Sequence, residues 1–234
     1  MFKKRLFQLD GRLSACAALV RRDCKLADIG TDHGYLPIYL VKQGRIRRAV
    51  AADINVGPLQ RAAMHVRKYE AEDQVQTRIS DGLEVIFPHE ADDIVIAGMG
   101  GELIAKIIDK APWLRDPDKH LILQPMTAAL ELRRYLRQTG FSVKEEIAAI
   151  DDGKVYSAML AFYDPEHPNT EPLFPYIGLL SGETAEGKAY IERQIRFYEK
   201  KADGLQSSGA TEQAAPVSAL VAQLRSYLAE TGEE

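Results

Sequence analysis

Apolar residues recur along the chain in two rhythms. Between Leu6 and Val20 they fall at Leu6, Leu9, Leu13, Cys16, Ala17 and Val20, three and four residues apart, the spacing of one face of a helix. The apolar stretches that follow are short: Lys25 to Ile29, Arg48 to Ile54, Gln74 to Ile79, Asp92 to Ala97 and His120 to Gln124. Each is rich in aliphatic residues or alternates, and each stops at Gly, Asp, Ser or Pro, as strands do. Helical stretches lie between them, over Tyr35 to Gln43, Pro58 to Glu70, Glu102 to Asp109 and Ala128 to Gln138. Pro58 suits a first helical turn, and Thr139-Gly140 is a usual stop. Two more strand-like stretches, Phe141 to Ile150 and Lys154 to Tyr163, flank the hairpin turn Asp151-Asp152-Gly153.

This alternation predicts an α/β fold, a doubly wound and mostly parallel sheet closed at one edge by an antiparallel hairpin. Four prolines in residues 164–175 mark a boundary between a domain over 1–163 and an appendage over 164–234. In the appendage, Ile191, Ile195 and Tyr198 share one helical face. A Gly/Ser/Ala loop is expected over 204–215, and a last helix carries Val217, Leu220, Val221, Leu224, Tyr227 and Leu228. Two helices joined in this way predict an antiparallel, coiled-coil-like hairpin. The final Thr-Gly-Glu-Glu is expected to fray.

Composition narrows the class. The chain has 234 residues, 46% hydrophobic and 27% charged, which are globular values and exclude wholesale disorder. Two cysteines, Cys16 and Cys24, build neither a disulfide framework nor a zinc site, so a reducing, cytoplasmic compartment and no metal are expected. No apolar run has the length of a membrane span, and the basic start is not followed by the apolar core of a signal peptide. The net charge is −4 but uneven: residues 1–25 hold seven basic and two acidic residues, residues 164–234 six basic and twelve acidic. Lys3, Lys4, Arg5 and Arg12 are therefore candidates to attract phosphate, against the alternative of a solvated helix face. In the acidic appendage, Arg193, Arg196, Lys200 and Lys201 offer a second, smaller set, with self-association or stabilisation as the plainer role.

Candidate chemistry sits where open α/β sheets bind ligands, at the carboxyl ends of strands near the switch in strand order. After the first strand comes Asp28-Ile29-Gly30-Thr31-Asp32-His33-Gly34. Gly30 permits a tight turn and close backbone approach. Asp32 stands where a dinucleotide fingerprint has its second glycine, so a carboxylate would repel pyrophosphate but accept from a ligand ammonium; helix capping is its plainer role. His33 suits either substrate contact and proton transfer or capping of the turn, and Tyr35 either stacking on a base or packing on the sheet. Asp53 ends the second strand and offers two acceptor oxygens to a ribose diol. Asp81-Gly82 ends the third and suits an adenine amine. Gly98-Met99-Gly100-Gly101 ends the fourth and is either an open platform for substrate or a flexible loop. Three carboxylates on three successive strand ends match the ammonium, ribose and adenine of S-adenosylmethionine. No Walker lysine, nucleophile elbow or His/Cys metal spacing is present.

The stretches DIGTDHGYLP (28–37), AADIN (51–55), SDGLEV (80–85), IAGMGG (96–101) and LILQP (121–125) occur in the order and spacing of a known family. The chain resembles class I S-adenosylmethionine-dependent methyltransferases and, more closely, the bacterial TrmK family of tRNA (adenine-22-N1) methyltransferases. That resemblance implies a Rossmann-like, seven-stranded sheet. It implies that Asp28, Gly30, Thr31, Asp32, His33 and Gly34 surround the methionine part of the cofactor, that Asp53 and Ile54 hold the ribose, and that Asp81 and Gly82 hold the adenine. Gly98 and Met99 would border the methyl group, and Gly100, Gly101, Gln124 and Pro125 the target adenosine. The family pattern has Asn after Gln-Pro, where this chain has Met126. N1 of adenine carries its own lone pair, so alignment of donor and acceptor should supply most of the rate. Asp32, then His33, are the candidates to stabilise the charge that develops on the ring or to accept a proton. The expected partner is tRNA, with a monomer favoured. The rivals are methylation of another RNA or small molecule, and a binding module without chemistry.

Overall fold

A computed structural model describes residues 6–232. Lys3, Lys4 and Arg5 lie outside the described residues. Five parallel strands, β1 (Lys25–Ile29), β2 (Arg48–Asp53), β3 (Val75–Ile79), β4 (Asp93–Gly100) and β5 (His120–Thr127), join an antiparallel hairpin of β6 (Phe141–Asp151) and β7 (Lys154–Tyr163). The sheet order is 3-2-1-4-5-7-6. The chain walks outward from β1 to β3, then returns to the other side of β1 as β4. The switch point lies between β1 and β4. The closing hairpin does not simply flank the sheet: β7 inserts between β5 and β6 and runs antiparallel to both.

The central strands are apolar throughout because both faces are covered. On one face Ile29, Ile94, Ile96, Leu121 and Leu123 pack under α4 (Gly101–Asp109) and α5 (Ala129–Gln138). On the other, Leu26, Val95 and Ile122 pack under α1 (Gly11–Leu19), α2 (Tyr35–Lys42) and α3 (Val56–Lys68). Helix α1 begins at Gly11 rather than Leu6, because Asp10 caps it by accepting from the Leu13 N–H at 2.8 Å. Phe7 instead packs on Tyr35 and Tyr69, with ring centroids 4.8 and 5.0 Å away. Strand β5 runs three residues past its expected end, through Pro125, where the β4–β5 register is already irregular. Cys16 and Cys24 are buried within this side of the sheet, and burial pushes both thiols up to about 12.

The appendage begins with the short α6 (Phe174–Ile177), whose Phe174 fills the sheet core. It continues as α7 (Ala185–Ser207) and α8 (Thr211–Gly232), which pack through Ile191, Ile195, Tyr198, Val221 and Leu224. The expected loop over 204–215 is mostly helix. Gly209, at φ +78°, and a hydrogen bond from the Ala210 N–H to the Leu205 carbonyl (2.9 Å) compress the connection into residues 208–210. Pro216 is absorbed inside α8. Thr231 and Gly232 remain helical, with Thr231 Oγ1 accepting from the Gly182 N–H at 2.9 Å.

A buried ion pair ties the appendage to the sheet. Arg133 of α5 and Glu146 of β6 both have side chains 0% exposed and meet at 2.5 Å. Arg133 also donates to the Tyr190 hydroxyl of α7 at 3.1 Å. Burial opposes the Arg133 charge, but the Glu146 carboxylate outweighs it and holds the guanidinium protonated. Gly178 must lack a side chain here, since a Cβ would overlap the Glu146 carboxylate. Removing one partner leaves the other charge buried alone. Arg133→Ala is therefore expected to lose about 3–5 kcal/mol in urea unfolding, whereas the double variant Arg133→Met/Glu146→Leu recovers most of that loss.

Candidate functional site

The turn after β1 is pinned to its neighbour. The N–H groups of Gly30 and Thr31 both donate to the Ala52 carbonyl of β2, at 2.8 and 2.9 Å. Gly30 and Gly34 take φ of +76° and +66°, which glycine adopts without strain. Beneath the turn, burial pushes the Asp28 carboxyl up to about 6; the Thr31 hydroxyl works against this and the nearby Asp53 carboxylate reinforces it. Thr31 Oγ1 is buried and makes no well-formed hydrogen bond.

Asp32 does not cap α2, which begins behind Gly34. Its Oδ1 accepts from Arg61 Nη2 of α3 at 2.9 Å, and its Oδ2 lies 3.4 Å from His33 Nε2. His33 sits at φ +68°, a conformation that costs a non-glycine residue on the order of 1 kcal/mol or more. Its ring lies nearly parallel to those of Tyr35 and His65, at 5.2 and 5.4 Å, and its carbonyl is 2.9 Å from His65 Nδ1. His33 Nδ1 is buried with no partner. Both residues expected to handle charge or protons thus have other occupations: an ion pair for Asp32 and a ring stack for His33. Tyr35 packs within the stack.

Asp53 closes β2. Its Oδ1 accepts from the Asn55 N–H at 2.6 Å, and no hydrogen bond engages Oδ2 among the described residues. The next side chain, Ile54, is 59% exposed. Asp81 is paired with Lys110 Nζ at 3.2 Å, and Gly82, at φ +56°, packs against Ile107. The three acids therefore stand on adjacent strand ends, as the sequence reading expects, but with different freedom. Two of them carry a basic partner that nothing in the sequence pattern marks.

The fourth strand end is shaped by glycine. At Gly98, φ +76°, a Cβ would meet only Arg12 Nη1 at 3.9 Å, so the space there is open. The Gly98 N–H donates to Gln124 Oε1 at 3.0 Å. Met99 lays its ε-methyl over Gly30, where any side chain would collide with it. At Gly101 a Cβ would overlap the Ala128 carbonyl. Gln124 and Pro125 were expected at the substrate. Both are buried, and Gln124 is fully committed, its amide also donating to the Pro125 carbonyl at 3.1 Å. They hold the ends of β4 and β5 together, and Pro125 also lines a hollow beside Met126 and Thr127. The groups at the surface are Met126, 37% exposed, and Thr127.

Arg12 differs from its expected role as a free phosphate contact. Its Nε donates to Asp151 at 2.8 Å, its Nη2 to Asp10 at 3.2 Å, and its Nη1 points to Met126 Sδ at 3.5 Å. Two carboxylates neutralise it, so it braces α1 against the hairpin tip beside Gly98. Among the described residues no cluster of His, Cys, Asp or Glu is suited to a metal ion, and no helix is long and apolar enough to cross a membrane.

Residues 9–159 match the Methyltransferase domain family. A tRNA (adenine(22)-N(1))-methyltransferase of Bacillus subtilis (strain 168) is 38% identical over 154 residues, 66% of this chain and 65% of that relative's length. The crystal structure of the B. subtilis m1A22 tRNA methyltransferase TrmK superposes with a TM-score of 0.80 at 30% identity, covering 98% of this chain and 100% of that one. A Streptococcus pneumoniae protein crystallised with S-adenosyl-L-methionine superposes with a TM-score of 0.78 at 26% identity, covering 91% and 97% of the two chains. The fold is thus shared along nearly the whole chain, and the chain belongs to the TrmK family of methyltransferases.

Proposed function

We propose that the chain is a cytoplasmic S-adenosyl-L-methionine-dependent tRNA methyltransferase acting on N1 of adenosine 22. The observation that carries this reading is the switch point itself. A glycine turn pinned to β2 and an open Gly98 face each other across β1 and β4, with Asp53 one strand away. The residues present fit the cofactor: Thr31 Oγ1 is buried with no well-formed hydrogen bond, Asp53 Oδ2 is unengaged, and Ile54 presents an exposed apolar surface beside it. The relative lengths agree, although the B. subtilis sequence match spans 65% of that protein.

When bound, S-adenosyl-L-methionine supplies a methyl group already activated on a sulfonium. The chain's task is then placement. Asp53 and Ile54 would hold the ribose, the carboxylate accepting from its hydroxyls, and Asp81 with Gly82 would receive the amine of the adenine. Asp28, ionised at neutral pH beneath the turn, attracts the ligand's cationic amino-acid end. Arg61 fixes Asp32, and the ring stack fixes His33, so that this part of the turn is preformed. Gly98, Met99, Gly100 and Thr127 border the methyl group and target base, and Gly98 leaves the space in which donor and acceptor align. Adenine N1 carries its own lone pair. No side chain need remove a proton before transfer, which agrees with Asp32 and His33 being otherwise engaged. N1 lies on the pairing edge, so the base reaches the site unstacked.

Transfer of labelled methyl from S-adenosyl-L-methionine to unmodified tRNA, followed by nucleoside analysis, tests this reading. Expected are 1-methyladenosine from the wild type and a loss of at least tenfold in cofactor affinity with Asp53→Ala, about the worth of a charge-assisted hydrogen bond. A wild type that binds the cofactor yet leaves tRNA unmodified would refute the substrate assignment. The Asp28 carboxyl gives a second expectation. Protonating it removes the buried negative charge, so cofactor affinity measured by calorimetry should fall up to about tenfold from pH 7.5 to pH 5, and Asp28→Asn should flatten that dependence. Stability runs the other way. The folded value of about 6 exceeds the unfolded 3.8, so the cofactor-free protein holds the proton more tightly when folded. Its stability relative to Asp28→Asn is full below pH 4 and declines by on the order of 2–3 kcal/mol as pH rises through 6.

A further inference from the structure

A cleft opens beside Met126 and Thr127 that the cofactor does not need. It lies between the end of β5, the start of β7 and helix α7, as two adjoining hollows of about 320 and 620 Å³. Met126, Thr127, Tyr156 and Arg193 line both. These volumes fall within the range of roughly 300–1,000 Å³ found for small-ligand clefts. The hollow adjoins the end of β4: Thr127 in its wall has its Oγ1 3.2 Å from where a Gly100 Cβ would stand.

The two hollows differ in chemistry. The larger is lined by Lys154, Arg193 and Arg196 and, among the described residues, by no carboxylate, although Arg196 Nη1 lies 3.7 Å from Glu192 Oε2 one helical turn away, a long and solvent-exposed pair. Such a lining is unusual in a chain of net charge −4. The smaller is aromatic, with Tyr156, Tyr176, Tyr190, Phe197 and Tyr198 in its wall, and the Glu131 carboxylate also lines it. Phe197 is 60% exposed although it is a large apolar ring, and among the described residues its one ring neighbour is Tyr198 at 5.0 Å. Arg193, Arg196 and Phe197 fall on one side of α7 by their spacing of three and four residues. Arg193 is held in place: its Nη1 donates to the Val155 carbonyl at 2.5 Å, and its guanidinium lies 4.9 Å from the Tyr190 ring centroid. A cationic hollow beside an exposed ring matches one ligand class, a nucleotide taken out of its stack. Its phosphate meets guanidinium groups and its base lies on an aromatic face.

We propose that this cleft seats a nucleotide adjoining the methylated adenosine, with its base against Phe197 and its phosphate held by Arg193, Arg196 and Lys154. The proposal rests on the reading of the chain as a tRNA methyltransferase and gives that enzyme a second base position beside the reacting one. The appendage then grips RNA through one short cationic stripe, which reconciles its overall acidity with a role in substrate binding. Distortion of the RNA is shared between two extruded bases, and substrates that keep the neighbouring base stacked are disfavoured.

The test pairs kinetics with a binding readout that needs no chemistry. Phe197→Ala and Arg196→Ala are each expected to raise KM for tRNA at least about fivefold, the lower end of what one stacked base contributes. Their cofactor Kd should be unchanged. Phe197→Trp should retain the wild-type KM and Phe197→Leu should not, which separates stacking from simple burial. In parallel, a single-stranded RNA oligonucleotide containing 2-aminopurine is titrated with the enzyme. Quenching by wild type that disappears in Phe197→Ala supports the cleft even if no methyl transfer to tRNA is observed, so the two readings fail separately. Equal quenching by wild type and Phe197→Ala, or a tRNA KM unmoved by both Phe197→Ala and Arg196→Ala, would overturn the proposal.

Discussion

The strand ends owe their shape to two backbones that approach more closely than a side chain allows. At Gly101 a single methyl would run into the Ala128 carbonyl. Because it is absent, the segment leaving β4 lies directly on the segment leaving β5. Gln124 fastens this contact from below by accepting from the Gly98 N–H and donating to the Pro125 carbonyl. Gly98 is thereby held open and Met99 is laid over Gly30. Thr127 and Met126 are brought to the rim, where the cleft begins. The acids on β1 to β3 complete a surface whose geometry is set by backbone contact, which is rigid because interiors are close-packed.

Much of this was legible from residue order alone. Apolar runs of strand length, each stopped by a polar or glycine turn, specify parallel strands, and the helical spacing between them specifies the crossovers. The acids Asp53 and Asp81 could be placed at strand ends because their neighbours on one side are apolar and on the other are glycine or polar. The insertion of β7 between β5 and β6 was not legible, since a hairpin turn states that two strands pair but not which of them faces the rest of the sheet. The loop expected over 204–215 was misread because its glycine, serine and alanine suit a turn by composition. Ala202 and Ala214, small residues on either side of the connection, are both buried, so the helices continue almost to Gly209 and leave only a short link.

The site residues show the same division. A sequence states what a side chain is able to do and not which partner reaches it first. Arg12 has the charge to meet phosphate, but Asp10 and Asp151 arrive from either side. Gln124 has the polarity to meet a base, but it is consumed inside the sheet. Asp32 is met by Arg61, whose place on α3 carries no pattern distinguishing it from any solvated arginine. Conversely Thr127, Phe197 and Lys154 are ordinary by type and become notable only through the space they border.

The buried pair of Arg133 and Glu146 has a mechanical consequence. It engages α7 at Tyr190, close to one end of a helix of 23 residues, about 35 Å long at 1.5 Å per residue. The helix is therefore a lever with its fulcrum near the sheet. A tilt of about 3° at that fulcrum displaces the far tip, about 26 Å from Tyr190, by about 1.3 Å, while Arg193, less than one turn from the fulcrum, hardly moves. Precision decays along the arm, so the residues nearest Tyr190 are suited to holding one nucleotide in register and those near the tip to following a larger, less regular outline.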